Sequence, residues 1–275
     1  MANDTEGATV ARHLQERYDE KLSDCRKNSS DPKPLPALLC SGILLRVTAR
    51  GPGFDTWNPN PANAQPRGVS FSWLRRDSGM QRFAFNFANG YIILPFFYAD
   101  TPSDGFTQLT VLCGYPVDAA TNGRRSAEND GCGPTPNIAN SGPCQAQGIT
   151  TSARWIQLFG AGQLYGNQCG FNLKPGSAAS GVFAQFALIR NALGARAFAI
   201  PTEIKIGAWT VGDTRIPLEA FFYLTGTTGL AEAKANQGDF RVRTGRWVPV
   251  IQMTLPTVQN GPASFRYVAA DQQVR

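Results

Sequence analysis

The sequence predicts a loop-rich α+β domain, and three observations carry that expectation. With 28 Gly and 19 Pro among 275 residues and only 17% charged side chains, the composition favours short strands joined by ordered loops over a helical bundle. A hydrophobic content of 42%, with 11% aromatic residues, is ample for a buried core and excludes a disordered chain. Short β-branched, apolar runs then recur along the chain between a few stretches of helical period.

The first element is a helix. Val10, Leu14, Tyr18 and Leu22 recur every fourth residue with charged residues between them, which predicts an amphipathic helix from Thr9 to Ser23 with His13 solvated. "SGILLRVTAR" predicts a strand with Arg46 near its end, and "VSFSWLRR", "RFAFNFANGYIILPFFY" and "FTQLTVLCGYPVD" predict three more. Asn89-Gly90 is expected to be a hairpin turn, because both residues tolerate positive φ. "ITTS" is expected to be a strand and "ARWIQLFGAGQ" to start a helix. "SGVFAQFALIRNALGAR" and "GLAEAKANQGDFRVRTG" are expected to be helical, with "TEIKIGAW", "IPLEAFFYL" and "WVPVIQMTL" as the late strands. No internal repeat or linker divides the chain, so residues 1–275 are expected to be one domain, with an N-terminal helix within 1–24 and a loop-rich insertion over 114–147.

Lys and Arg exceed Asp and Glu by 26 to 20, a net charge of +6. The basic residues are scattered and form no stripe interleaved with aromatics, so no nucleic-acid partner is expected. No apolar run approaches the roughly 20 residues that span a bilayer, and no membrane span is expected. Six cysteines, Cys25, Cys40, Cys113, Cys132, Cys144 and Cys169, accompany a single histidine and contain no C-x-x-C pair, which disfavours a structural zinc site. They are disulfide candidates, with about fifteen possible pairings. Cys25 with Cys40 would close a short loop, and Cys132 and Cys144 bracket a Gly/Pro/Asn run. Disulfides imply export, so the protein is expected to be secreted. No signal peptide stands at "MANDTEGATV", which looks like an initiator methionine on a mature N-terminus.

Several chemistries are excluded by what is missing. The one histidine on the N-terminal helix and the absence of G-x-S-x-G disfavour a Ser-His-acid hydrolase. Metal hydrolysis lacks ligands, no metal is expected, and no Walker or G-x-G-x-x-G loop occurs. What remains is carboxylate chemistry combined with arginine recognition of phosphate. Three elements occur in order: Arg46 ending "LLR", Thr150-Thr151-Ser152 in "GITTSARW", and Glu203 in "TEIKIGAW". In that order the chain resembles the ADP-ribosyltransferase-like toxins of the cholera-toxin type, which carry an arginine, a Ser-Thr-Ser strand and a strand-borne glutamate. Through "LLCSGILLR", "WNPNP", "GYPVDAAT" and "EAFFYL" it is also similar to the halovibrin group of secreted bacterial proteins.

The resemblance implies an ADP-ribosyltransferase-like split β-sheet core with a cleft, and NAD-glycohydrolase or ADP-ribosyltransferase activity. NAD would be a substrate, and no other cofactor is implied. In that scheme Glu203 stabilises the oxocarbenium-like ribose and binds its hydroxyl, and Arg46 holds the ribose or diphosphate through its fork. Thr150, Thr151 and Ser152 brace the glutamate and the nicotinamide pocket, and Trp155 stacks on the ring. Transferases that modify arginine carry a second acid two residues before this glutamate, where Pro201 stands here. Hydrolysis is therefore expected over transfer to a host protein acceptor. Bland alternatives stand beside each assignment: Arg46 as an exposed strand residue or a partner of Asp55, Thr150 to Ser152 as β-formers, and Glu203 as an edge-strand charge; Glu219 interrupts an apolar run and is expected to face solvent on an alternating strand, with the cleft as the other option. A non-enzymatic module that binds a glycan or a protein through aromatic loops is the alternative of a different class.

Overall fold

Strands of two to seven residues assemble into one sheet. The structure, a computed structural model, describes residues 2–20, 41–48, 57, 69–83, 86–94, 109–119, 132, 143–162, 164, 168–173, 179–207 and 213–273. Its strands are β1 (Ile43–Val47), β2 (Val69–Leu74), β3 (Asn89–Ile93), β4 (Thr110–Tyr115), β5 (Phe171–Asn172), β6 (Thr202–Gly207), β7 (Leu218–Leu224), β8 (Val250–Thr254) and β9 (Ser264–Tyr267). They form a single hydrogen-bonded sheet in the order β5-β4-β6-β2-β1-β3-β7-β8-β9. Every pairing is antiparallel except β7 with β8. A parallel neighbour needs a crossover, and the helix between these two strands supplies it. The architecture is thus α+β. The described strands make one continuous sheet in place of two layers, because β2 pairs with both β1 and β6 and joins the halves.

The helices are α1 (Ala2–Asp19), α2 (Ser152–Phe159), α3 (Ala179–Leu193), α4 (Ala195–Phe198) and α5 (Leu230–Thr244). The larger core lies on one face of the sheet, where Leu44, Phe71, Trp73, Tyr91, Ile204 and Phe221 meet α2, α3 and α5 through Trp155, Phe183, Phe186, Ile189 and Phe240. On the other face a second core forms where Leu14 and Tyr18 of α1 pack on Ile43, Leu45, Ile92, Phe222 and Met253. The predicted helical period of α1 is thereby confirmed through Tyr18, while Leu22 lies outside the described residues; the helix starts and ends earlier than Thr9 to Ser23. His13 is exposed, as expected.

Other expectations change. Asn89-Gly90 lies inside β3 and is not a turn. A Cβ at Gly90 would sit 2.0 Å from the carbonyl oxygen of Arg46, so glycine is required there by the close approach of β1. "ITTS" is not a strand. Thr151 is the N-cap of α2 and its hydroxyl accepts the Arg154 N–H at 3.2 Å, a role for which Thr and Ser are as well suited as for strands. The last strand, β9, was not anticipated, since "SFRY" is short and half polar.

Among the described residues two disulfides are formed, Cys113–Cys132 and Cys144–Cys169, so Cys132 and Cys144 are each tied outward and do not staple the run between them. Cys25 and Cys40 lie outside the described residues. Closing loops of 19 and 25 residues stabilises the fold by roughly 3 kcal/mol each on the chain-entropy account. Arg190 of α3 is a second tie. Its buried guanidinium donates to the carbonyls of Pro116 (2.8 Å), Ile200 (3.1 Å), Gly79 (2.9 Å) and Ala197 (2.9 Å). Burial lowers its pKa to about 10, so it remains cationic at neutral pH.

Candidate active site

The centre of the sheet carries a polar strip on one face. Directly opposed residues of neighbouring strands share a face and successive residues alternate. Glu203 of β6 opposes Ser72 of β2 and Tyr115 of β4, while Lys205 opposes Ser70 and Cys113. These side chains therefore lie together, and the intervening Ile204 and Ile206 go to the larger core with Phe71 and Val69. Glu203 is 4% exposed and Lys205 1%, whereas Ser70 and Ser72 are half-buried. One Glu203 oxygen, Oε2, accepts the Ala119 N–H at 2.9 Å, and Lys205 Nζ donates to Ser70 Oγ at 3.4 Å. Just after β4, Asp118 N donates to Pro201 O at 2.6 Å, which holds the entry to β6 beside the chain that binds the carboxylate.

The sheet register sends Arg46 the other way. Leu45 opposes Ser72, so Leu45 shares the glutamate's face and Arg46 projects from the opposite one. There Arg46 is buried opposite Tyr91 of β3, and its Nη1 donates to Ser70 O at 2.8 Å. Burial pushes the Tyr91 hydroxyl pKa up, and the charge of Arg46 partly offsets that rise. Arg46 thus spans β1 and β2 from the larger-core side, two strands away from β6.

The hydroxyl segment is also elsewhere. Thr150 and Thr151 are exposed, and Ser152 N donates to Gln185 Oε1 of α3 at 2.6 Å. This segment starts a helix on the larger-core side, and Trp155 is fully buried in that core against Phe159. Trp155 therefore packs the interior and offers no exposed face for stacking. Of the expected group, only Glu203 belongs to the polar strip; Arg46, Thr150, Thr151, Ser152 and Trp155 do not converge on it. Glu219 does not face solvent. It is buried and binds Nη1 of Arg17 at 2.8 Å, clamping α1 to β7.

Ser70, Ser72, Lys205 and Tyr115 were missed. The alternation in "VSFSWL" and "TEIKIG" was visible, but which strands lie side by side was not. A cleft of about 470 Å³ lined by Thr48, Asn86, Asn89, Gly229 and Glu232 opens at the start of α5 and contains none of the expected residues. Among the described residues no three His, Cys, Asp or Glu side chains are grouped to hold a metal ion, and no helix is long and apolar enough to cross a membrane. No protein-family profile matches the chain, and no curated protein sequence matches it either.

Proposed function

We propose that the protein hydrolyses the nicotinamide–ribose bond of NAD, with Glu203 stabilising the ribosyl cation. The observation that carries this reading is the position of the carboxylate, on a central strand, buried, with the hydroxyl-bearing Ser72 and Tyr115 opposite it on the same face. A carboxylate in a water-poor setting acts strongly on a developing positive charge. In the reaction the bond between ribose C1′ and the ring nitrogen breaks. Its electron pair neutralises the pyridinium, so nicotinamide leaves without needing an acid. Water then adds to C1′, releases a proton, and yields ADP-ribose.

Hydroxyls flanking Glu203 suit the role that the sequence reading gave to Thr150, Thr151 and Ser152. In this reading Ser72, and Ser70 beyond it, take that place, and Arg46 braces β1 against β2. Pro201 leaves no second acid two residues before Glu203, which favours water over a protein side chain as acceptor. The paired cysteines fit a secreted, toxin-like protein.

The test is incubation of the purified chain with NAD, followed by chromatography of nicotinamide and ADP-ribose. Glu203→Gln is expected to lower kcat by at least about 100-fold while the protein remains folded, as judged by circular dichroism. NAD left intact by the wild type, or a Glu203→Gln variant as active as wild type, overturns the reading. Label transferred from NAD to a host protein would instead support a transferase. Binding to a glycan or protein without NAD turnover would support a module with no catalytic role.

A further inference from the structure

We infer that the cleft at the start of α5 is a binding site for a neutral sugar, separate from the strip that carries Glu203. The cleft has a volume of about 470 Å³ and is lined by Thr48, Asn86, Phe87, Asn89, Thr228 and Glu232, with Ala88, Gly229 and Ala231 between them. That volume lies within the roughly 300–1,000 Å³ of small-molecule sites. Asn89 opposes Tyr223 and stands two residues before Tyr91, and both tyrosines belong to the larger core. The cleft therefore opens on the α5 side of the sheet, whereas Glu203 projects from the other side.

Two of the walls are rigid polar groups. Asn89 is 7% exposed and Thr48 1%, and Asn89 Nδ2 donates to Thr48 Oγ1 at 2.9 Å. That bond fixes both side chains and leaves the Asn89 Oδ1 acceptor and the Thr48 hydroxyl proton for a further partner. A Cβ at Gly229 would lie 2.5 Å from Ala88 O, so α5 starts directly against the chain that enters β3, which sets the width of the cleft. The chemistry of the walls selects the ligand. Amide and hydroxyl side chains each donate and accept, which matches hydroxyl groups on neighbouring carbons. Phe87 and Ala88 add an apolar surface for the C–H face of a sugar ring. A helix N-terminus on its own favours an anion, but Glu232 in the first turn already supplies a negative charge there. Among the described residues no Lys or Arg lines the cleft. β1 and β3 are paired on both sides, so no open strand edge receives an extended peptide.

The probes are the methyl glycosides of glucose, galactose, mannose, N-acetylglucosamine and ribose, with inorganic phosphate and sialic acid as anionic controls. Each is titrated into the full chain and followed by saturation-transfer NMR and calorimetry. At least one neutral glycoside should bind with a Kd of about 1 mM or tighter, and neither anion should displace it. Ala231→Trp, at an exposed helical position on the rim, should fill the cleft and abolish that binding. Asn86 has a φ of 56°, so Asn86→Gly keeps the backbone while removing the amide, and should weaken binding by about 2- to 10-fold. Both variants should remain folded by circular dichroism and leave NAD cleavage unchanged. Failure of every neutral glycoside to bind, binding that neither variant weakens, or displacement of the glycoside by phosphate overturns the inference. A folded Ala231→Trp protein that loses NAD cleavage also overturns it, because the cleft would then belong to the site of Glu203. Failure of the NAD reading looks different: NAD stays intact while the glycoside still binds and Ala231→Trp still blocks it.

Discussion

Replacing Arg190 with methionine tests whether the α3 side of the sheet is held by one buried cation. The guanidinium donates to four carbonyls, those of Pro116 after β4, Gly79 after β2, and Ala197 and Ile200 around α4. Methionine fills much of the volume but leaves four acceptors without that donor in a dry interior. Unsatisfied acceptors cost about 1–3 kcal/mol each, but nearby N–H groups and water recover part of this. Breaking buried charged networks costs about 3–5 kcal/mol in practice. With about 2–4 °C per kcal/mol for a chain of this size, a loss of about 4 kcal/mol lowers Tm by roughly 10 °C. Arg190→Lys keeps the charge but cannot reach Gly79 and Pro116 together, and should lose about half as much. Thermal melts followed by circular dichroism, backed by urea midpoints, measure both. A methionine variant melting within about 2 °C of wild type would refute the reasoning. The same residue sets a sign for alkaline conditions. Burial holds its folded pKa at about 10, below the ordinary arginine value, so between the two the unfolded chain binds more protons. Arg190 then adds stability as pH rises, and alkaline loss must come from other groups.

Tyr18 is one such group: burial, with the charge of Asp19 adding to it, raises its pKa from 10.0 to about 12. The folded state holds that proton more tightly, so its contribution is complete below pH 10 and is lost between about pH 10 and 12. Tyr18→Phe should cost about 1 kcal/mol for the bond to Gly261 O and flatten the decline of urea midpoints over that window; an unchanged decline counts against it. Removing the Cys144–Cys169 bridge by a double serine substitution should lower stability by roughly 3 kcal/mol, read in urea, and treatment with reductant should reproduce the loss. Gly90→Ala forces a Cβ to 2.0 Å from Arg46 O and should cost about 3 kcal/mol, seen as a lowered Tm; a neutral result would mean that β1 and β3 approach less closely. Thr151→Ala should cost about 1 kcal/mol as a lost helix cap and leave NAD cleavage within about twofold. A large loss of turnover at normal stability would return Thr151 to the substrate.

The period of most elements was legible in the sequence, and so were the polar positions, but the sheet face to which each belongs was not. Order along the chain suggested that Arg46 and Glu203 meet. Whether they do depends on parity: Leu45 opposes Ser72 and Ser72 opposes Glu203, so an arginine one residue earlier or later in "ILLRV" would share the glutamate's face. A shift of one residue reverses every side chain in a strand, and nothing local in "ILLRV" records its register on "VSFSWL". The hydroxyl segment failed for a different reason. Thr and Ser serve a strand and a helix N-cap equally, and the apolar period of the following "SARWIQLF" is what decides between them.

Burial of charge was the least legible feature. The alternation in "TEIKIG" gives one apolar and one charged face, which read locally means a half-exposed strand with Glu203 and Lys205 in water. The structure makes β6 a central strand between β2 and β4 and buries both charges. Apolar side chains at positions 203 and 205 would satisfy the same sheet at lower desolvation cost, because a well-packed apolar replacement for buried ions is often neutral or stabilising. Two opposite charges retained side by side, with Ser70 and Ser72 on the adjoining strand, are therefore poorly explained by stability alone, and the carboxylate is what the proposed action on a cationic ribose would use. Such a site should gain thermal stability when its charges are removed. A double variant, Glu203→Met with Lys205→Met, is accordingly expected to melt no lower than wild type while losing NAD cleavage; a large drop in Tm would return both residues to the scaffold.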